Sequence, residues 1–186
     1  MRIISGKYRG KKLYLPMDKE TRPLKDLVKE SIFNLLSHSK KIFVDIKDSS
    51  VLDLFSGSGS FGLECISRGS ENVIFFEKYT KALQVLKKNL NTIKENKKSK
   101  IFENDCFTFF NSEKEMNLKF DIIFIDPPYR ELKINELLER LVEKKILKKN
   151  GIIIIHRHKK DMVEITKKIK ILDIRNYGLS KVYFCC

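Results

Sequence analysis

Residues 51–64 read VLDLFSGSGSFGLE, and this stretch limits the fold more than any other. An apolar run gives way to Gly57, Gly59 and Gly62 in a G-x-G-x-x-G spacing, followed by a helical pattern. Glycines let the backbone turn tightly and let a ligand approach main-chain N–H groups. A strand, such a loop and a helix are the opening unit of an α/β sheet, where ligands sit beyond the carboxyl ends of the strands.

The rest of the chain follows the same plan. From about residue 50, short apolar runs (SVLDLF, NVIFFE, KIFEND, FDIIFID, GIIIIH, IKILDIR, KVYFCC) alternate with amphipathic stretches near 60–68, 80–95, 134–148 and 160–168. Runs without strict polar alternation suit strands buried on both faces, which predicts a mostly parallel α/β sheet. The last two runs, joined by NYGLS, read as an antiparallel hairpin at the sheet edge. Upstream, residues 2–15 read as a small β-hairpin. Pro23 and the spacing of Leu24, Leu27, Val28, Ile32, Phe33, Leu35 and Leu36 predict a helix over about 24–38. A length of 186 residues suits one domain. We read residues 1–40 as an extension on a core of 41–186.

Acids recur at the predicted strand ends. Asp53 lies inside the strand before the glycine loop, where a carboxylate is costly unless paired. Glu77 ends the second strand at a spacing that suits ribose hydroxyls. Asp105 ends the third and faces an adenine amine, with Cys106 offering a backbone N–H to a ring nitrogen. Each acid alone also reads as a helix cap. The glycines leave two cofactor classes open. A dinucleotide sets its pyrophosphate on the helix N-terminus. S-adenosylmethionine carries an ammonium that needs an acceptor, which Asp53 supplies.

The fourth strand ends in FDIIFIDPPYR, residues 120–130. Prolines fix φ and donate no hydrogen bond, so Pro127 and Pro128 hold a carbonyl beside the Asp126 carboxylate. Two acceptors at fixed spacing suit an exocyclic amine, and Tyr129 offers its ring to a planar base, a stack of about 1–3 kcal/mol. Such an amine is a poor nucleophile until acceptors on its hydrogens free the lone pair for attack on a sulfonium methyl. No strong base is needed, because the proton becomes acidic once the nitrogen is methylated.

A net charge of +14 calls for a polyanionic partner or reflects a Lys-rich composition. Arg2, Lys7, Arg9 and Lys11 crowd a start that lacks acids before Asp18, with Tyr8 among them. No apolar run approaches the ~18 residues of a membrane span, and no secretory pattern opens the chain. The four cysteines form no C-x-x-C pair, so neither a disulfide framework nor a zinc site is expected. We expect a cytoplasmic monomer with free thiols.

DLFSGSG and DPPY together resemble the class I methyltransferases that modify amino groups. RIISGKYRGKKL, TRPLKDLVKESIFNLL and YGLSKVYF are similar to the RsmD family, which makes N2-methylguanine in 16S ribosomal RNA. The resemblance implies a seven-stranded Rossmann-like sheet, S-adenosylmethionine as donor with S-adenosylhomocysteine as product, and no metal. It also implies 16S rRNA in the small ribosomal subunit or an assembly intermediate as partner, with the N-terminal hairpin helping to hold it. On the family's motifs, Asp126, Pro127 and Tyr129 fall at the amine site. Asp53, Phe55, Gly57, Ser58, Gly59, Glu77, Lys78, Asp105 and Cys106 fall at the cofactor site. Arg22, Pro23 and Asp26 match a segment near the active site, and Arg22 joins Arg2, Lys7, Arg9 and Lys11 at the RNA. The chain departs from the family at Leu24 and Lys25 (two threonines), Leu27 (an arginine) and His156 (an acid), and His156 is expected at the surface or in packing. Competing readings are a DNA adenine or cytosine N-methyltransferase, a non-catalytic ribosome-assembly protein that binds RNA, and a dinucleotide oxidoreductase.

Overall fold

Alternation of side chains along each strand sorts the core into two layers. The fold is given by a computed structural model that describes residues 1–18, 23–111, 118–128, 131–161 and 165–186. Its strands are β1 (Ser50–Leu54), β2 (Asn72–Phe76), β3 (Ser99–Phe102), β4 (Phe120–Ile125), β5 (Leu147–His158), β6 (Ile171–Tyr177) and β7 (Ser180–Cys185). They form one sheet in the order β3-β2-β1-β4-β5-β7-β6. β1 to β5 pair in parallel, and β7 runs antiparallel to both β5 and β6. This is the expected seven-stranded α/β sheet with its C-terminal hairpin.

Among the described residues the α-helices are α1 (Asp26–His38), α2 (Ser60–Ser67), α3 (Thr80–Ile93) and α4 (Ile134–Glu143). Val51, Phe75, Phe124 and Ile154 point to the layer of α1, α2 and α3. Their sequence neighbours Leu52, Phe76, Ile125 and Ile155 point to the layer of α4, Phe109 and Phe110. Both faces are therefore dry, which explains strands that read as continuous apolar runs. On the first face Phe61 of α2 stacks on Phe124 at 4.0 Å between centroids and on Phe33 of α1 at 5.1 Å.

α1, at Asp26–His38, agrees with the expected span of about 24–38 and carries an acid in its first turn, where the helix dipole favours one. Leu27, counted in its apolar stripe, is instead exposed. The amphipathic stretch expected over 160–168 falls partly on 162–164, outside the described residues; its described residues lie in turns and irregular backbone. Ile169 joins the core, and Ile165 packs against it.

Residues 2–15 double back irregularly instead of forming two strands. Arg2 and Lys12 make an isolated bridge, and Ile3 N–H donates to the Lys11 carbonyl at 2.9 Å. The segment is anchored on α2. The fully buried Glu64 carboxylate accepts from the N–H groups of Ile4 (2.7 Å) and Ser5 (2.9 Å). Lys29, also fully buried, lies 3.6 Å from Glu64 and donates to the Arg2 carbonyl at 2.7 Å. At Gly6 a Cβ would lie 1.9 Å from the Ser67 carbonyl oxygen, so only glycine allows this approach.

Candidate active site

The glycine loop is built from backbone that few residues other than glycine adopt readily. Gly57 and Gly59 have φ of 56° and 79°, and Phe55 joins them at 63°. Gly62 serves packing: a Cβ there would lie 2.3 Å from the Phe75 ring, so its absence lets α2 lie close on the sheet. Ser56 N–H donates to the Phe76 carbonyl at 2.9 Å and its hydroxyl to the Asp53 carbonyl at 2.6 Å, which ties the loop to β1 and β2.

Glu77 follows β2 and accepts from Gly57 N–H at 2.6 Å and Tyr79 N–H at 2.7 Å, one on each oxygen. A carboxylate has about four acceptor positions, so each oxygen retains a lone pair for a hydroxyl. Lys78 pairs with Asp105 at 2.7 Å. Burial works to raise the Asp105 pKa, but Lys78 and the Phe107 N–H outweigh it and hold that carboxyl below its usual range. Cys106 is buried, and burial pushes its thiol well above the usual range, so it acts as a neutral group.

Asp53 is 1% exposed. Its Oδ2 accepts from Gly62 N–H at 3.0 Å, while Oδ1 is buried without a hydrogen-bond partner among the described residues. Burial raises its pKa well above the aspartate norm, against the Gly62 hydrogen bond, and the charges of Asp126 and Glu77 raise it further.

Pairing of β4 with β1 and β5 brings the proline motif to the same edge. Leu54 pairs with Ile125, and Ile125 with Ile155, so Asp126 emerges between the glycine loop and the end of β5. Phe55, Gly57, Ser58, Glu77, Lys78, Asp105, Cys106, Asp126 and Pro127 all line one cleft of about 880 Å³. Asp53 and Gly59 are buried and do not line it. Pro23 and Leu24, from the segment with the altered family residues, line it too. Tyr129 and Arg22 lie outside the described residues.

His156 was expected at the surface or in packing. It is packed, at 2% exposure, and beyond that its Nδ1 lies 2.8 Å from Asp126 Oδ1. The contact follows from the pairing of β5 with β4, which brings the end of β5 beside Asp126. Arg157, 5% exposed, donates to the carbonyls of Pro128 at 3.2 Å and Glu131 at 3.4 Å. Sequence reasoning gave it no role.

The basic N-terminal residues lie along α2 and α3, away from the cleft. Lys7 pairs with Glu95 at 2.7 Å, just past the C-terminal end of α3, and Lys11 donates to the Thr92 carbonyl at 2.5 Å. The cleft meets α3 at its opposite end, beside Tyr79. Arg2 and Arg9 are exposed. Tyr8, whose hydroxyl donates to Glu95 at 2.5 Å, is already engaged. Among the described residues no group of three or more His, Cys, Asp or Glu side chains is placed to hold a metal ion, and no helix is long and apolar enough to cross a membrane.

The family described as "Conserved hypothetical protein 95" matches residues 1–186. A Bacillus subtilis protein, YlbH, provisionally named an rRNA methyltransferase, is 36% identical over 183 residues, 98% of this chain and 96% of its own length. The Haemophilus influenzae protein "Ribosomal RNA small subunit methyltransferase D" is 35% identical over 159 residues, 86% of this chain and 79% of its own. Among solved structures, the Escherichia coli methyltransferase yhhF superposes with a TM-score of 0.83 at 26% identity, covering 100% of this chain and 96% of that one. An RNA methyltransferase from Salinibacter ruber, solved with S-adenosylhomocysteine, shares the fold at a TM-score of 0.63 and 15% identity, covering 88% of this chain and 92% of that one.

Proposed function

The chain belongs to the Conserved hypothetical protein 95 family, that of the RsmD methyltransferases, and on that premise we propose that it methylates the exocyclic N2 amine of a guanine in 16S ribosomal RNA, with S-adenosylmethionine as donor. The observation that carries this reading is the shared cleft. The glycine loop and the Asp126-Pro127 acceptors, which serve two different reactants, open into one space.

Charge selects the donor. Asp53, Glu77, Asp105 and Asp126 are gathered at this edge, and the nearby Lys78 is already paired with Asp105. A pyrophosphate would add negative charge to this group. A ligand with an ammonium and a sulfonium relieves it, and the partnerless Oδ1 of Asp53 fits such a cation. In this reading Asp53 takes the ammonium, Glu77 the ribose hydroxyls, and Asp105 with the Cys106 N–H the adenine. S-adenosylmethionine supplies an electrophilic methyl group when bound. The chain's own work is on the amine. Asp126 Oδ2 and the Pro127 carbonyl accept its two hydrogens, which localises the nitrogen lone pair and aims it across the cleft. Tyr129 is assigned the stacking role. The proton leaves after methyl transfer, so Asp126 serves as an acceptor rather than a strong base. Residues 1–40 form the extension proposed to hold RNA, and 41–186 the catalytic core, acting as a cytoplasmic monomer.

Incubation with tritiated S-adenosylmethionine and either small-subunit particles or duplex DNA tests the reading. Label is expected in 16S rRNA as N2-methylguanosine; label in DNA with none in RNA refutes it. Calorimetry with S-adenosylhomocysteine and NADH separates the donor classes, and binding of NADH alone would restore the oxidoreductase.

A further inference from the structure

We infer that His156 and Arg157 are positioning residues that brace the amine-acceptor loop, an inference that rests on the methyl-transfer reading above. The loop needs an outside brace because of its own chemistry. Pro127 and Pro128 fix their own φ but have no N–H to donate, so neither residue after Asp126 can tie the turn to its surroundings through a backbone donor. The terminal torsion of an aspartate is broad, so a carboxylate at a strand end does not hold one orientation by itself.

The end of β5 supplies the missing donors. Because a carboxylate accepts, the 2.8 Å contact requires His156 to donate from Nδ1–H to Asp126 Oδ1. That leaves Oδ2 without a partner among the described residues and sets its direction. Arg157 is the next residue of the strand, so its side chain leaves the opposite face of the sheet. Its guanidinium donates to the Pro128 and Glu131 carbonyls and is itself held by Asp161 at 3.1 Å. The loop is gripped from both faces of one strand. His156 and Arg157 are 2% and 5% exposed, so water competes little for either set of donors. A purely structural pair would serve stability alone; a brace serves turnover as well.

Three variants separate these roles. His156→Phe fills the space without a donor, His156→Asn keeps an N–H near the position of Nδ1, and Arg157→Met keeps the stem without the fork. The brace predicts that His156→Phe and Arg157→Met lower kcat by about 10- to 100-fold. KM for RNA and the Kd for S-adenosylhomocysteine should stay within about threefold, and His156→Asn should recover most of the kcat. Wild-type kcat in His156→Phe, or an Asn variant as slow as Phe, overturns the inference. A second readout does not depend on the variants folding. In histidine-labelled protein the His156 Nδ1–H should give a protected, downfield NMR signal that disappears in Asp126→Ala; its absence from the wild type overturns the brace. If the wild-type chain methylates no rRNA, the function proposed above fails instead, and the imidazole signal still decides whether the contact exists.

Discussion

Replacing Glu64 with Ala should loosen the N-terminal segment without unfolding the sheet. Glu64 and Lys29 are both fully buried, 3.6 Å apart, and the carboxylate also holds Arg68 Nε at 2.9 Å. Truncation strands one buried ammonium and the N–H groups of Ile4 and Ser5. Burial already holds the Lys29 pKa below the lysine norm, and Glu64 is the largest opposing influence. Breaking a buried pair from one side costs about 3–5 kcal/mol. Folded domains have stabilities of about 5–15 kcal/mol, so a chain in the middle of that range remains folded at room temperature. With a urea dependence of about 2–3 kcal/mol per molar, the midpoint should fall by about 1–2.5 M. Amide exchange at Ile4 and Ser5 should speed up more than in β1 or β4, because the missing acceptor is theirs. A double variant, Lys29→Met with Glu64→Leu, removes the stranded charge and should regain part of the stability. A decrease under about 1 kcal/mol, with Ile4 and Ser5 still protected, would refute the clamp.

Asp126→Ala should retain S-adenosylhomocysteine binding in calorimetry and lower kcat by about 100-fold or more; unchanged turnover removes its acceptor role. Asp53→Asn should weaken that ligand's binding yet stabilise the ligand-free fold. Burial raises the Asp53 pKa, so below about pH 4 it is neutral in both states, and as pH rises further the unfolded chain ionises first and gains relative to the fold. The melting-temperature advantage of Asn over Asp should therefore be small at pH 4 and larger at pH 7.5; a constant offset contradicts it. Gly62→Ala should cost about 1–3 kcal/mol by thermal melting, because the new Cβ meets the Phe75 ring at 2.3 Å. RNA affinity should fall steeply with salt, and replacing Arg9 and Lys11 with Ala should lower that slope by about one for each phosphate no longer neutralised; an unchanged slope moves the RNA surface elsewhere.

The sheet was legible in the sequence because each strand carries a short apolar run, and in β1, β2, β4 and the second half of β5 both faces are buried. The glycine loop and the proline motif were legible for a related reason. Each needs special backbone, and glycine and proline advertise it. What was missed depends on contacts between distant segments. His156 reads as an isolated histidine until β5 is set in register with β4. The buried Lys29–Glu64 pair joins residues 35 positions apart and leaves no local pattern. The N-terminal turnback looked like strands because it alternates weakly, but its two arms pair only through an isolated antiparallel bridge, and α2 supplies further acceptors for its N–H groups.

β1 and β4 are hydrogen-bonded neighbours from Val51 and Ile122 up to Leu54 and Ile125. One carries the glycine loop and the other the proline motif, so the two half-sites stand one strand spacing apart, about 4.8 Å. A core substitution that shifts either strand drags the other along. On the proposed reading, donor affinity and amine placement are therefore coupled through the core. Divergence in what such a chain modifies is channelled into the loops at this edge, and the spacing between the reactants is inherited intact.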